Sequence, residues 1–374
     1  MTDPIPLAQA LIRRNSVTPA DDGALGVLEA ALTPLGFTCT RLRFGEVENL
    51  FARRGTSAPH FCYAGHTDVV PPGDESAWAD GPFAGVVRDG VIYGRGACDM
   101  KGGIAAFVAG LTDYLAANPE HPGSISLLIT GDEEGPSVDG TRRVLEWMAE
   151  HGNTPDICVV GEPTSQAVLG DTIKIGRRGS MNAWITVHGR QGHSAYPQKA
   201  DNPVHRLIRV LGALTATPLD TGSEWFEAST LQVTGIQVDN TATNVIPAEA
   251  RAFLNIRFND HHHSEALSAH LRAVVAEHAP DHNLQIQVSG ESFLTAPGPF
   301  VAALQRAVKR STGLDARLET GGGTSDARFI THYCPVAELG AIGASMHQRD
   351  ECAPVEELRA LAGLYRTVIE ECLI

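Results

Sequence analysis

Two kinds of apolar pattern divide the chain. Up to about residue 180, short unbroken apolar runs alternate with longer stretches in which apolar residues recur at three- and four-residue intervals. "HFCYAG", "SISLLITG" and "DICVVGEP" are of the first kind and predict buried strands; "PLAQALIRRNS", "GGIAAFVAGLTDYLAANP" and "SVDGTRRVLEWMAEHG" are of the second and predict helices. Strands alternating with helices of that length imply a mostly parallel sheet covered on both faces. Beyond 180 the strands alternate apolar and polar residues instead, as half-exposed strands do. "SMNAWITVHG", a helix "NPVHRLIRVLGALTAT" with Asn202 as N-cap and Pro203 at its first position, "TLQVTGIQV", "EARAFLNIRF", a helix "SEALSAHLRAVVAEHA" capped by Ser264, and "NLQIQVSG" follow in the order β-α-β-β-α-β, the ferredoxin-like pattern. After about residue 291 the first pattern returns in "PFVAALQRAVKRSTG", "VAELG" and "PVEELRALAGLYRTVIEECL". The fold expected is an α/β domain interrupted by a smaller α+β one, with boundaries at 1–178, 179–291 and 292–374.

Length and composition fit this division. A chain of 374 residues exceeds one ordinary core. Its longest apolar runs are shorter than a membrane span, and the N-terminal "MTDPIPLAQALIRRNS" lacks the basic start and apolar stretch of a signal peptide, so a cytoplasmic location is expected. The formal charge of −15 argues against a general binder of nucleic acid or anionic membranes. It does not exclude an anionic substrate, because a local basic pocket such as "KIGRRGS" (174–180) can sit on an acidic protein. Seven cysteines, with no CxxC, read as buried thiols in a reducing compartment and not as a disulfide framework.

The chemistry gathers where the apolar strands end. "CYAGHTDVV" carries His66 and Asp68, "SLLITGDEEG" carries Asp132, Glu133 and Glu134, "ICVVGEPT" carries Glu162, and "SMHQRDE" carries His347. "YGRGACDMKGG" sets Asp99 in a glycine-rich loop that opens a helix. Loops beyond the carboxyl ends of parallel strands converge on one crevice. Several carboxylates gathered there would repel unless some were protonated or a divalent cation intervened. Imidazole with carboxylate suits Zn²⁺, with Co²⁺ or Mn²⁺ as alternatives, and two histidines with three carboxylates would serve two metals sharing one carboxylate. Taken singly, a histidine after a strand is ordinarily a surface or capping residue and a "DEE" a solvated loop. The repetition of one arrangement in four segments, with the glycine-rich loop of Asp99 as a fifth, sets the metal reading beside that one.

The motifs "GHTDVVPPGDESAWADGPF", "YGRGACDMKGG", "TGDEEG", "VVGEPT", "GRRGS", "GRQGHSAYPQKADNP" and "GGTSDARFI", in this order, closely resemble the M20 metallopeptidase family over essentially the whole chain. The resemblance implies a zinc-peptidase-like domain with an inserted dimerisation domain. It implies two Zn²⁺ per subunit, with Co²⁺ possible in one or both sites. His66 and Glu162 would hold one ion, Glu134 and His347 the other, and Asp99 would bridge them. It further implies a cis peptide between Asp99 and Met100, Asp68 behind His66 to orient the imidazole, and Glu133 as the general base. "GRRGS" and "GGTSDARFI" are narrower than the rest. They favour a branch that hydrolyses N-succinyl-LL-2,6-diaminopimelate to succinate and LL-2,6-diaminopimelate, in lysine and diaminopimelate biosynthesis, over its acetylornithine-deacetylase and carboxypeptidase relatives. For a substrate with three carboxylates, Arg178 and Arg257 are the candidate clamps, and Ser180, Tyr196, Asn244, Gly323 and Thr324 further contacts. His193, in "QGHSAYP", would reach the active site of the partner subunit in a homodimer and help stabilise an oxyanion. The alternatives are a sibling deacylase of another N-acyl amino acid such as N-acetylornithine, and a non-catalytic homologue that binds metal or peptide. One departure from the pattern of that branch is Gly343, where its better-known members have asparagine four residues before the last histidine; it bears on substrate recognition. "NDHHHSEAL" is read as a solvated turn, and Cys98 and Cys352 as without catalytic partners.

Overall fold

The computed structural model describes residues 1–373. The chain separates into two compact units. One comprises Met1–Ile175, Thr295–Glu319 and the segment from Ser325 onward; the other comprises Gly176–Leu294 with Thr320–Thr324. The crossing points lie a few residues from the expected 178/179 and 291/292. The reason is a short antiparallel pair, Gly176–Arg177 with Phe293–Leu294, which zips the outgoing and returning chain together on the second unit's side. Thr320–Thr324 joins that unit too, and the Thr320 hydroxyl donates to the Trp225 carbonyl at 2.5 Å.

The first unit is built on an eight-stranded sheet. At its centre three parallel strands lie side by side in the order Ser124–Thr130, His60–His66, Ile157–Val160, with Val336–Glu338 parallel beyond them. The strands His60–His66 and Ser124–Thr130 are buried along their whole length, as their unbroken apolar runs require of strands covered on both faces. A stack of Tyr63 on Phe107 (3.8 Å between ring centres), with Tyr365 edge-on to both, binds the sheet to the helices Lys101–Ala117 and Val355–Cys372. Those two helices approach closely because residue 110 is glycine: a Cβ there would lie 2.3 Å from the Ala362 carbonyl oxygen. The outer hairpin, Thr38–Phe44 with Val47–Arg54, joins the sheet antiparallel and was not among the strands the pattern predicted. Thr38–Phe44, "TCTRLRF", mixes charge into its alternation, as an edge position allows.

Local chemistry sets two helix starts differently from expectation. "SVDG" stays outside the helix Thr141–Glu150 because the Asp132 carboxylate accepts the N–H groups of Val138 and Asp139, at 2.8 and 3.0 Å, and holds them in a turn. Ser264 is the first residue of its helix, not its cap; His263 takes the cap position, and the Glu291 carboxylate accepts from both the Ser264 amide and its hydroxyl. Asn202 does cap the helix Pro203–Thr215, its side chain accepting from Val204 N.

The second unit is a four-stranded antiparallel sheet in the order Thr230–Gln237, Glu249–Phe258, Gly179–His188, His282–Gly290. With the helices Pro203–Thr215 and Ser264–His278 it has the ferredoxin-like connection. Its core joins Ile185, Leu254 and Ile256 of the strands to Leu207, Val210, Leu271 and Val275 of the helices. No helix among the described residues is long and apolar enough to cross a membrane.

Candidate metal centre

The parallel strands deliver their acids and histidines to one edge of the first unit. His66 ends its strand; Glu162 stands just past Ile157–Val160; Glu133 and Glu134 follow Ser124–Thr130. Asp99 precedes the helix Lys101–Ala117, and its peptide bond to Met100 is cis. His347 lies in the loop after Val336–Glu338, with φ at +61°. That left-handed conformation costs a non-glycine residue about 1–2 kcal/mol, so something else holds it.

Asp99 is the hinge of the arrangement. Its Oδ1 is 3.2 Å from His66 Nε2, and its Oδ2 is 3.3 Å from His347 Nε2. Glu162 Oε1 lies 3.8 Å from the same nitrogen of His66, and Glu134 Oε1 lies 2.8 Å from that of His347. The donor atoms of His66, Asp99 and Glu162 thus form one cluster within 4.8 Å and those of Asp99, Glu134 and His347 a second, with His66, Glu133 and Glu134 forming a third group at the same spacing. Two imidazoles and three carboxylates sharing Asp99 could hold divalent cations through nitrogen and oxygen.

The protonation pattern points the same way. Burial alone would discharge His66, but the hydrogen bond to Asp99 and the charges of Glu162, Asp99 and Asp68 raise its pKa well above the ordinary imidazole value. Hydrogen bonds to Asp99 and Glu134 push His347 up to about 10. Burial would raise Asp99, yet the two imidazoles hold it well below the usual carboxylate range. The crevice thus favours positive charge at both histidines, and a cation between each histidine and its carboxylates would meet the same demand.

Two further residues frame the cluster. The Nδ1 of His66 is 2.9 Å from the backbone carbonyl of Asp68, while the Asp68 carboxylate stands 3.7 Å away. The ring is thus oriented by the main chain of Asp68, where the family resemblance implied its side chain. The carboxylate accepts instead from the Thr18 hydroxyl at 2.6 Å and from the amides of Glu133 and Glu134 at 3.2 and 3.0 Å, so it fixes the turn that carries both glutamates. Burial lifts the Asp68 pKa to about 6. Glu133 projects into the group formed with His66 and Glu134, and burial followed by the charge of Glu162 raises its pKa well above that of an ordinary glutamate.

The sequence model of peptidase family M20/M25/M40 matches residues 62–371. The chain belongs to this family. It is 58% identical over 376 residues to the succinyl-diaminopimelate desuccinylase of Gluconacetobacter diazotrophicus, covering 100% of this chain and 97% of that one. It is 59% identical to that of Acidiphilium cryptum, covering 98% of each. Among solved structures it resembles an M20 family metallo-carboxypeptidase from Sulfolobus solfataricus (TM-score 0.81, 16% identity, 100% of both chains). It also resembles a dinuclear metal-binding M20 peptidase from Bacillus subtilis (TM-score 0.71, 17% identity, 99% of this chain and 98% of that one). M20 peptidases are metal-dependent, and the donor set described above fits that property.

The remaining candidate residues of this M20 chain lie in the second unit, in two groups. Ser180 and Arg257 are register partners on neighbouring strands, and Arg178 lies two residues from Ser180. Burial, then the positive charge of Arg178, lowers the Arg257 pKa from the usual guanidinium value, which marks two arginines held together. Gly323 and Thr324 belong to the same unit, and Arg177, which the sequence reading passed over, donates to the carbonyls of Gly321 and Gly323 at 3.3 and 3.1 Å. The second group is His193, Tyr196 and Asn244. His193 pairs with Val245 across a short two-stranded ladder, its ring meets that of Tyr196 edge-on at 5.7 Å, and the Asn244 carbonyl accepts from Ser194 N at 2.9 Å. Elsewhere in this unit, His262 of the histidine triplet turns onto Asp220 at 3.0 Å while His261 and His263 are exposed. Thr18 and Lys101 were also missed in the first unit. Thr18 lies in a turn with no periodic signal, and Lys101 is wholly buried, its ammonium donating to the Arg14 carbonyl at 2.8 Å. At Gly343, a Cβ would sit 3.4 Å from Pro163, next to Glu162.

Proposed function

We propose that the chain hydrolyses the succinyl amide of N-succinyl-LL-2,6-diaminopimelate to succinate and LL-2,6-diaminopimelate, in the biosynthesis of lysine and diaminopimelate. The observation that carries the reading is Asp99, whose two oxygens face two separate histidine–glutamate sets. It stands in a chain nearly 60% identical, end to end, to proteins named for that reaction.

His66, Asp99 and Glu162 would hold one Zn²⁺ and Asp99, Glu134 and His347 the other, with Co²⁺ able to replace either. Bound there, the two cations supply Lewis-acid activation of a water and of the scissile carbonyl. Glu133 takes the proton of the attacking water and passes it to the departing amine; its high proton affinity, set by burial and Glu162, suits a group that must do both. Asp68 keeps Glu133 and Glu134 in register through their amides. The substrate brings three carboxylates and one ammonium. Arg178, whose Nη1 also stands 3.7 Å from Glu227 Oε2, and Arg257 would clamp a substrate carboxylate, with Ser180, Gly323 and Thr324 as further candidate donors. Tyr196 and Asn244 complete the contacts. His193 of the partner subunit stabilises the oxyanion, in a homodimer formed through the second unit; loss of one such donor costs about 10²–10³ in rate. A cytoplasmic enzyme is consistent with seven cysteines that are all free thiols.

Steady-state hydrolysis of the succinylated substrate beside N-acetylornithine, on protein whose metal content has been counted, tests the reading. A preference for the succinyl compound is expected, and a preference for N-acetylornithine would overturn the assignment in favour of a sibling deacylase.

A further inference from the structure

His347 is a ligand candidate on a loop in the left-handed region, and Asp99 is one in a glycine-rich turn. Neither is placed by the sheet in the way His66 is. Between their backbones lies an ion pair that is wholly buried: Arg95 Nη1 to Glu351 Oε2 at 2.8 Å, with the side chains 3% and 0% exposed. The other oxygen of Glu351 accepts the amide N–H groups of Cys98 and Asp99, at 3.0 and 3.1 Å. Arg95 in turn donates to the carbonyls of Gln348 at 3.1 Å and of His347 at 3.5 Å. Trp78 covers the guanidinium face at 5.1 Å, which accounts for the tryptophan of "ESAWADGPF".

We infer that Arg95 and Glu351 form a positioning pair, which sets the spacing between the bridging carboxylate of Asp99 and the imidazole of His347. The inference rests on the two-cation reading given above. Each member grips the main chain of the opposite ligand segment. Glu351 comes from the His347 loop and holds the Asp99 amide; Arg95 comes from the Asp99 turn and holds the His347 carbonyl. A planar fork is needed to reach a carboxylate and two carbonyls together, which a lysine cannot do. The pair touches neither set of donor atoms, so it acts on the metal through the ligands' backbone. Its effect falls on the cluster that needs Asp99 and His347 together, and less on the cluster of His66, Asp99 and Glu162.

The test is Zn²⁺ titration of metal-free protein, comparing the unaltered chain with Arg95→Lys, Glu351→Gln and the double variant. Circular dichroism and the melting temperature of each metal-free protein are followed alongside. The unaltered chain is expected to take two ions. Each single variant should take one ion with near-unaltered affinity and bind the other about 10–100-fold more weakly. The double variant should lose less than the two single losses combined, because both break one link. Glu351→Gln keeps an oxygen for the two amides and turns an NH2 group toward Arg95, so it breaks the pair while leaving the grip on Cys98 and Asp99, and it carries the reading if Arg95→Lys does not fold. Unchanged affinity for both ions in folded variants would overturn the inference. Equal weakening of both ions in step with a fall in melting temperature, or failure of both variants to fold, would reduce the pair to a structural role and overturn it as well. If the unaltered chain itself binds fewer than two ions, the two-cation reading is what fails.

Discussion

His66 and His347 face the same carboxylate from opposite sides and are held there by opposite means. His66 is the last residue of a fully buried strand, its side chain 1% exposed and its ring fixed by a main-chain carbonyl two residues on. His347 is 46% exposed, sits in a left-handed backbone conformation, and owes its place to hydrogen bonds made by its loop. The strand-borne ligand is positioned by the packing that makes the fold. The loop-borne one is positioned by a polar network that can be altered while the fold stays. The contrast predicts one half of the centre that is stable and one that is tunable.

The largest effect expected is on chemistry common to both halves. Glu133→Gln should retain both ions and lose about 10²–10⁴-fold in turnover; metal counting beside single-turnover kinetics checks it, and unaltered turnover would remove Glu133 as the base. Next comes the contrast itself. His66→Ala strands Asp99 and Glu162 in a buried site, so the metal-free protein should lose about 3–5 kcal/mol in denaturant unfolding. His347→Ala, at a half-exposed position, should cost only about 1 kcal/mol while abolishing the second ion. Equal losses would break the distinction. A third prediction probes the strand-borne half from its neighbour. A Cβ on Gly161 would fall 1.9 Å from the Tyr63 hydroxyl and 2.8 Å from Met100 Cε, so Gly161→Ala should destabilise the protein by about 3 kcal/mol through overpacking. It should also weaken the ion bound by His66 and Glu162 more than the other.

A pH-dependent effect is expected at the far end of the same strand. His60 is buried, its Nε2 is 2.8 Å from the Ser126 hydroxyl, and burial and then the charge of Arg53 lower its pKa to about 4. The unfolded chain takes up a proton near pH 6.5 that the folded chain refuses. Its contribution is therefore complete above pH 6.5 and is lost as pH falls towards 4, amounting to about 2 kcal/mol between pH 8 and pH 5. His60→Gln should flatten that part of the unfolding profile, and an unchanged slope would contradict the assignment.

The same contrast explains what the sequence disclosed. His66, Glu134 and Glu162 stand at or just beyond unbroken apolar runs, so the rule that parallel strands converge at their carboxyl ends was enough to gather them. The ferredoxin-like order of the second unit was equally visible, because its strands are half-exposed and alternate clearly. The role of Asp68 was visible only as a residue. That its carbonyl orients the ring, and its carboxylate the turn of Glu133, depends on main-chain geometry that carries no compositional mark. Arg95 and Glu351 were invisible for a related reason: they act across 256 residues of sequence, and each sits beside a motif that already had an explanation. The first strand of the outer hairpin was hidden because an edge strand need not show a clean period.

The central claim is that two cations lie on either side of Asp99. Anomalous diffraction at the zinc absorption edge, from crystals of zinc-loaded protein, tests it most directly. The account predicts two peaks, one bounded by His66, Asp99 and Glu162 and the other by Asp99, Glu134 and His347. Peaks remote from Asp99, or none at this edge of the sheet, would contradict it.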